Sequence, residues 1–139
     1  MFRLCYISSA RVPIDDAMLM AILTVSRRNN RAAGLTGLLV AGRKRFLQLL
    51  EGDEAAVRDT YQRIRRDPRH FASVIIDERA ISVRQFNDWD MGLVRPSGSG
   101  SGDDDQAALS EIVATIDDPN LRAQFHGFLA INGGQRSAA

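Results

Sequence analysis

The sequence predicts an α+β sandwich in which strands and helices follow the order β-α-β-β-α-β with an additional strand, two helices on one sheet face, and a C-terminal helical tail. Three observations lead there. Segments of strand period alternate with segments of helical period. The breaks between them carry turn and cap residues. A length of 139 residues suits one core.

Phe2 to Ile7 alternates, with Phe2, Leu4 and Tyr6 on one side and Arg3, Cys5 and Ile7 on the other, which is the period of a strand. Pro13 leads into a helix over about residues 14–29, where Ile14, Ala17, Met18, Ala21, Ile22 and Val25 fall on one apolar stripe. Asn29, Asn30 and Gly34 supply its stop. Leu35 to Val40 reads as a buried strand, Ala41 to Lys44 as a hairpin turn, and Arg45 to Glu51 as the returning strand. Gly52 breaks that strand and Asp53 is a natural N-cap for the next helix. This helix should bury Val57, Tyr61 and Ile64 and end at Asp67-Pro68, because a residue before proline avoids helical angles. Val74 to Asp77 forms another strand, residues 78–87 are polar and carry no clear period, and Trp89, Met91 and Leu93 alternate as a final strand. The order is that of a ferredoxin-like or split-βαβ sandwich.

Domain organisation follows from composition. Residues 1–96 form the folded domain, and the Ser/Gly-rich stretch with its aspartates over 97–105 is a flexible linker. Residues 106–131 form a helical extension, split by Asp117-Asp118-Pro119-Asn120 into two short helices, and 132–139 form a disordered tail. Leu47 and Leu49 point away from Gln48, and Cys5 and Ile7 point away from Tyr6, so the second sheet face is also apolar and needs a cover. The tail helices are expected to dock there, with a second subunit as the alternative.

Apolar residues make up 45% of the chain and charged residues 25%, as in an ordinary globular domain. A net charge of +1 gives no electrostatic case for direct nucleic-acid binding. The basic runs at Arg27-Arg28 with Arg31, and at Arg63 with Arg65-Arg66, lie near helix ends, where cations complement the helix dipole. The single cysteine rules out an internal disulfide and a cysteine metal site, and fits a cytoplasmic setting. The start is too polar for a signal peptide, and no apolar run reaches membrane-spanning length.

Four features do not fit a plain core. Gln48 sits inside the apolar run Phe46 to Leu50, and a buried amide left unsatisfied costs about 1–3 kcal/mol. Its partner is either a backbone or water group, or something more specific. Tyr6 shares a strand face with Phe2 and Leu4, and a core tyrosine ordinarily needs only one acceptor for its hydroxyl. Ile22, Ser26 and Asn30 line one side of the first helix, where the asparagine is either a helix cap or an amide aimed at a planar polar ligand. Trp89 and Met91 share a strand face, which in isolation reads as core. His70 lacks the partners of a metal site.

Together these residues resemble the BLUF family, the sensors of blue light using flavin. The resemblance runs over roughly residues 2–95 through Leu4-Cys5-Tyr6-Ile7-Ser8, Ser26 to Asn30, Leu35 to Leu39, Phe46 to Gly52, Asp67 to His70, Arg84-Gln85-Phe86, and Trp89-Asp90-Met91. It implies a non-covalently held flavin between the two helices, with FAD the default and FMN or riboflavin the other candidates. It further implies that Tyr6 is the electron and proton donor and that Gln48 bridges Tyr6 and flavin. Asn30 would hold the flavin's polar edge, with Ser26, Ile22, Asp67 and Arg69 as further flavin-binding positions. Trp89 and Met91 would relay the signal. The expected protein is a non-enzymatic photoreceptor that rearranges hydrogen bonds through a rotated or tautomerised Gln48. It is expected to be a homo-oligomer with no membrane role that signals to a separate effector protein.

Three other readings compete. An acylphosphatase-like hydrolase on this fold needs an anion-binding loop, and no Gly-rich phosphate cradle is present. An RRM-type binder needs aromatics on adjacent central strands, and Phe46 to Glu51 holds one. A flavin-free interaction module differs from a photoreceptor in being colourless.

Overall fold

The structure, a computed structural model, describes residues 1–86, 91–94, 113, 114 and 116–132. Its elements are β1 (Phe2–Ala10), α1 (Asp16–Ala33), β2 (Thr36–Ala41), β3 (Arg45–Gly52), α2 (Glu54–Arg65), β4 (His70–Ala80), β5 (Gly92–Val94) and, in the tail, α3 (Pro119–Asn132). The sheet order is β4-β1-β3-β2-β5. β1 runs antiparallel to both β3 and β4, and β2 antiparallel to β3, whereas β5 pairs parallel with β2. The ferredoxin-like order with one added edge strand is therefore the observed fold.

Two apolar clusters lie on opposite faces of this sheet. Leu4, Tyr6, Leu39, Phe46 and Leu50 pack with Leu19 and Leu23 of α1 and Val57 and Tyr61 of α2. On the other face, Cys5, Leu38, Val40, Leu47 and Leu49 pack with Phe86, Val113, Ile116, Leu121, Phe125 and Phe128. The tail thus covers the outer face, and all five of those sheet side chains are essentially inaccessible. Burial pushes the Cys5 thiol well above its ordinary value, with Asp77 adding to the rise.

Polar contacts fasten that cover. The Arg3 guanidinium reaches Asp77 at 2.8 Å and Asp118 at 3.0 Å, and Arg79 also reaches Asp118 at 2.9 Å. Asp118 in turn accepts from the backbone N–H of Asn120 and Leu121, capping α3. One carboxylate therefore ties the start of the tail helix to β1 and β4.

Several local details differ from the sequence expectation. The buried row of α1 is Leu19, Leu23 and Asn30, while Ala17, Ala21 and Val25 are exposed. Burying leucine removes more apolar surface from water than burying alanine, so the helix turns its leucine row inward. Asp15 caps α1 through the Met18 N–H at 2.7 Å, and Gly34 ends it at φ +71°, a left-handed angle that suits glycine. Asp53 occupies the N-cap position of α2, but its side chain makes no capping bond. β4 spans eleven residues instead of the expected four, reaching into the polar stretch after Asp77. This strand lies at the sheet edge, where solvent-facing polar side chains hide the apolar alternation. β5 is only three residues long and begins after Met91. The proposed linker, most of the first tail helix and the residues after 132 lie outside the described residues.

The segment before β5 is held by β3 and by the end of α1. The fully buried Glu51 carboxylate accepts from the N–H of Gln85 at 2.6 Å and of Phe86 at 2.9 Å. Arg84 donates to Gly34 O at 2.8 Å and Thr36 Oγ1 at 3.0 Å.

Candidate flavin site

α1 and α2 leave a cleft between them whose floor is the inner sheet face. It contains about 810 Å³ of unfilled space, counting the open solvent at its mouth. Tyr6, Ile22, Ser26, Asn30, Gln48, Asp67 and Arg69, the seven cleft positions named from sequence, all line it. Their convergence has simple causes. Tyr6 and Gln48 are direct cross-strand partners on β1 and β3, so their side chains share a face. Ile22, Ser26 and Asn30 repeat at helical spacing on α1. Asp67 and Arg69 sit on the turn between α2 and β4, part-exposed at the cleft lining.

At the floor the Tyr6 hydroxyl donates to Gln48 Oε1. The other end of that amide, Nε2, donates to the Met91 sulfur at 3.6 Å. Met91 is buried, and its backbone carbonyl accepts from Arg27 Nε at 2.9 Å. An amide carries two N–H donors, so the Met91 contact leaves Gln48 a second donor for the cleft. Burial first, then the Tyr61 and Cys5 groups and the Asp67 charge, push the Tyr6 phenol far above its ordinary value. Tyr6 therefore stays a neutral donor throughout the physiological range.

Asn30 is buried, and its own carbonyl accepts from Leu35 N at 2.8 Å, so it shapes the helix end as well as the cleft. Arg69 grips Asp67 with Nε at 3.0 Å and Nη2 at 2.5 Å. That hydrogen-bonded pairing holds the Asp67 carboxyl below the usual carboxylate range and the Arg69 guanidinium above its own. Trp89 lies outside the described residues.

The cleft also includes residues that sequence reasoning left out, among them Leu39, Phe46, Thr60, Arg63 and His70. Strand alternation around Gln48 contains the signal for Phe46, and hairpin pairing that for Leu39. His70 is a buried structural group, with Nε2 at 2.6 Å from Ile64 O and Nδ1 at 2.8 Å from Ser8 Oγ. A carbonyl only accepts, so Nε2 carries the proton. Among the described residues there is no cluster of metal-ligating side chains and no helix long and apolar enough to cross a membrane.

Apolar walls from Ile22, Leu39, Phe46 and Ile64, with the amides of Asn29, Asn30 and Gln48 among them, suit a flat, neutral heteroaromatic ring with a polar rim. The cleft is therefore a candidate site for such a ring on an α+β sandwich. The chain belongs to the BLUF family, sensors of blue-light using FAD, whose sequence description matches residues 1–92. It is 43% identical over 67 residues to the photoactivated adenylate cyclase subunit beta of Euglena gracilis, covering 48% of this chain and 8% of that protein. Among solved structures, the dark-state BLUF protein BlrB aligns with a TM-score of 0.67 and 29% identity over 88% of this chain and 96% of that one. A calcium/cy-diGMP complex of Klebsiella pneumoniae BlrP1 aligns with a TM-score of 0.77 and 26% identity, covering 93% of this chain and 34% of that one. The chain spans about a tenth of the length of the curated relatives it matches. Residues 1–92 are thus a domain of the blue-light-sensing, FAD-using kind.

Proposed function

We propose that light detection by this protein runs through Tyr6 and Gln48 and leaves the chain by way of Met91. The observation that carries the reading is one amide bonded at both ends, to the Tyr6 hydroxyl through Oε1 and to the Met91 sulfur through Nε2. When bound, the flavin supplies blue-light absorption and a transient electron acceptor. Asn30, Ser26 and Ile22 hold and orient the ring, with Asp67 and Arg69 at the mouth. Tyr6 is the electron donor. Its hydroxyl proton is the mobile one, and Gln48 Oε1 is the atom that receives it. Return of electron and proton restores the phenol, so no net redox change remains. What persists is the amide, rotated or tautomerised, with donor and acceptor edges exchanged. Such an exchange moves no charge, yet it changes which neighbours the amide can bond, Met91 included.

Output is then a biased equilibrium, in which a shift of about 1.4 kcal/mol changes populations tenfold. The Arg27 bond to the Met91 carbonyl and the short parallel strand β5 support the end of the sheet as the lever, with Trp89 as the second relay residue. The protein is read as non-enzymatic and cytoplasmic, assembling with itself and signalling to a separate effector protein. Relatives described as photoactivated adenylate cyclases support an effector readout.

The test is an absorption spectrum before and after blue light for the wild type, Gln48→Leu and Tyr6→Phe. The wild type should red-shift and recover in the dark. Both variants should bind flavin without that shift. A normal shift in Gln48→Leu removes the amide from the mechanism.

A further inference from the structure

The end of α2 carries Arg63, Arg65 and Arg66, a run that complements a helix dipole whatever else it does. The structure gives two of these cations different surroundings. Arg65 lies over the Tyr61 ring, 5.9 Å from its centroid, beside a groove shared with Ser73 of β4. Arg63 lines the flavin cleft instead. Its Nη2 donates to Thr60 Oγ1 at 3.3 Å, and Thr60 is a buried cleft residue while Arg63 itself is exposed, so the guanidinium sits where the cleft meets solvent.

Charge at that opening is uneven. Two arginines and one carboxylate line the cleft, Arg63, Arg69 and Asp67. Arg69 and Asp67 are closed on each other at 2.5 Å and cancel. Arg63 is therefore a cation that no carboxylate of the lining offsets. A guanidinium has five N–H donors in a planar fork that matches phosphate oxygens, and the Thr60 contact engages only one of its nitrogens.

We infer that Arg63 is the specificity residue that makes this cleft prefer a phosphorylated flavin, FMN or FAD, over riboflavin, by receiving the phosphate's charge at the mouth. The inference rests on the reading of the cleft as a flavin site. All three ligands carry the same ring, so ring contacts cannot discriminate among them. The phosphate is the difference, and charge-assisted arginine–phosphate bonds are the strong class of hydrogen bond.

The experiment measures binding of riboflavin, FMN and FAD to the apoprotein by quenching of flavin fluorescence, at low and at raised salt. Arg63→Gln should weaken FMN and FAD about tenfold and leave riboflavin unchanged. Its FMN affinity should also depend less on salt than that of the wild type. Arg63→Lys should retain part of the preference as a point charge, and Arg65→Gln, which removes a cation of the same helix end that does not line the cleft, should retain all of it. An FMN-to-riboflavin affinity ratio equal in Arg63→Gln and wild type overturns the inference and leaves the flavin site standing. A wild-type apoprotein that binds none of the three overturns the flavin site and the inference together.

Discussion

Gln48 Nε2 stands 3.6 Å from the Met91 sulfur, so the side chain that accepts from Tyr6 also touches the residue immediately before β5. A polar rearrangement on β3 thereby gains a direct neighbour at the end of the sheet, without an intervening chain of contacts.

Met91→Leu tests that neighbour. The swap conserves volume, so stability should fall by less than about 1.5 kcal/mol. Loss of the sulfur acceptor removes one weak bond that favours the dark arrangement of the amide. Dark recovery should slow by about two- to fivefold, because a bond of that class contributes about 0.5–1 kcal/mol. Recovery at the wild-type rate would show that the sulfur contact plays no part in setting the equilibrium.

Arg3 tests the fastening of the tail. Arg3→Met leaves the partly buried Asp77 and Asp118 with only the more exposed Arg79 as a cation and should cost about 1–3 kcal/mol in urea unfolding. Hydrogen exchange should quicken across 119–132 before it quickens in β1. The triple variant Arg3→Met/Asp77→Asn/Asp118→Asn should recover much of the loss, since no stranded charge remains. Equal protection of α3 in wild type and Arg3→Met would mean that apolar packing alone holds the tail.

Light should act on the same segment. If signalling loosens the cover on the outer face, exchange in residues 116–132 should be faster under blue light than in darkness, and the difference should vanish in Gln48→Leu. Equal protection of the tail in both states counts against the tail as output.

Acid should reach the tail through Asp118. Burial raises its carboxyl, but bonds from Arg3, from the backbone N–H of Asn120 and Leu121, and the Arg79 charge together outweigh this and lower it. Its contribution is therefore complete above the unfolded value of about 3.9 and is lost as pH falls through the lower folded value. Thermal melting should show little change from this group between about pH 7 and 5 and a decline below about pH 4. Asp118→Asn should flatten that decline, and an equally steep one would assign it to other carboxylates.

Alkali should act through Tyr6 with the opposite sign. A phenol raised above its unfolded value of about 10 stabilises the fold below that pH and ceases to do so above it. The phenolate absorbance of Tyr6 should appear only together with unfolding, and Tyr6→Phe should lose that step. Reversible ionisation of Tyr6 in the folded protein near pH 10 would contradict its burial.

Much of this was legible in the sequence because it depends on period. Tyr6 and Gln48 could be set on one face from strand alternation, and Ile22, Ser26 and Asn30 on one helix side from four-residue spacing. The second apolar face followed from Cys5, Leu47 and Leu49 in the same way. Contacts outside any period were not legible. Glu51 reaches the N–H groups of Gln85 and Phe86 across 34 and 35 residues of sequence, and nothing local announces it. Arg63 and Arg65 are two residues apart and look alike in sequence, and only the docking of α2 gives them different surroundings. The inward row of α1 was missed because a stripe rich in alanine satisfied the period as well as the leucine row did.

The lone thiol has a practical consequence. Cys5 is inaccessible, and its raised ionisation leaves almost no reactive thiolate. An alkylating spin label should therefore leave the native chain untouched. A cysteine introduced at exposed Gln124 on α3, paired with another at exposed Arg45 on β3, would give two attachment points free of background. Pulsed dipolar spectroscopy on that pair would turn the motion of the tail into a measured distance distribution.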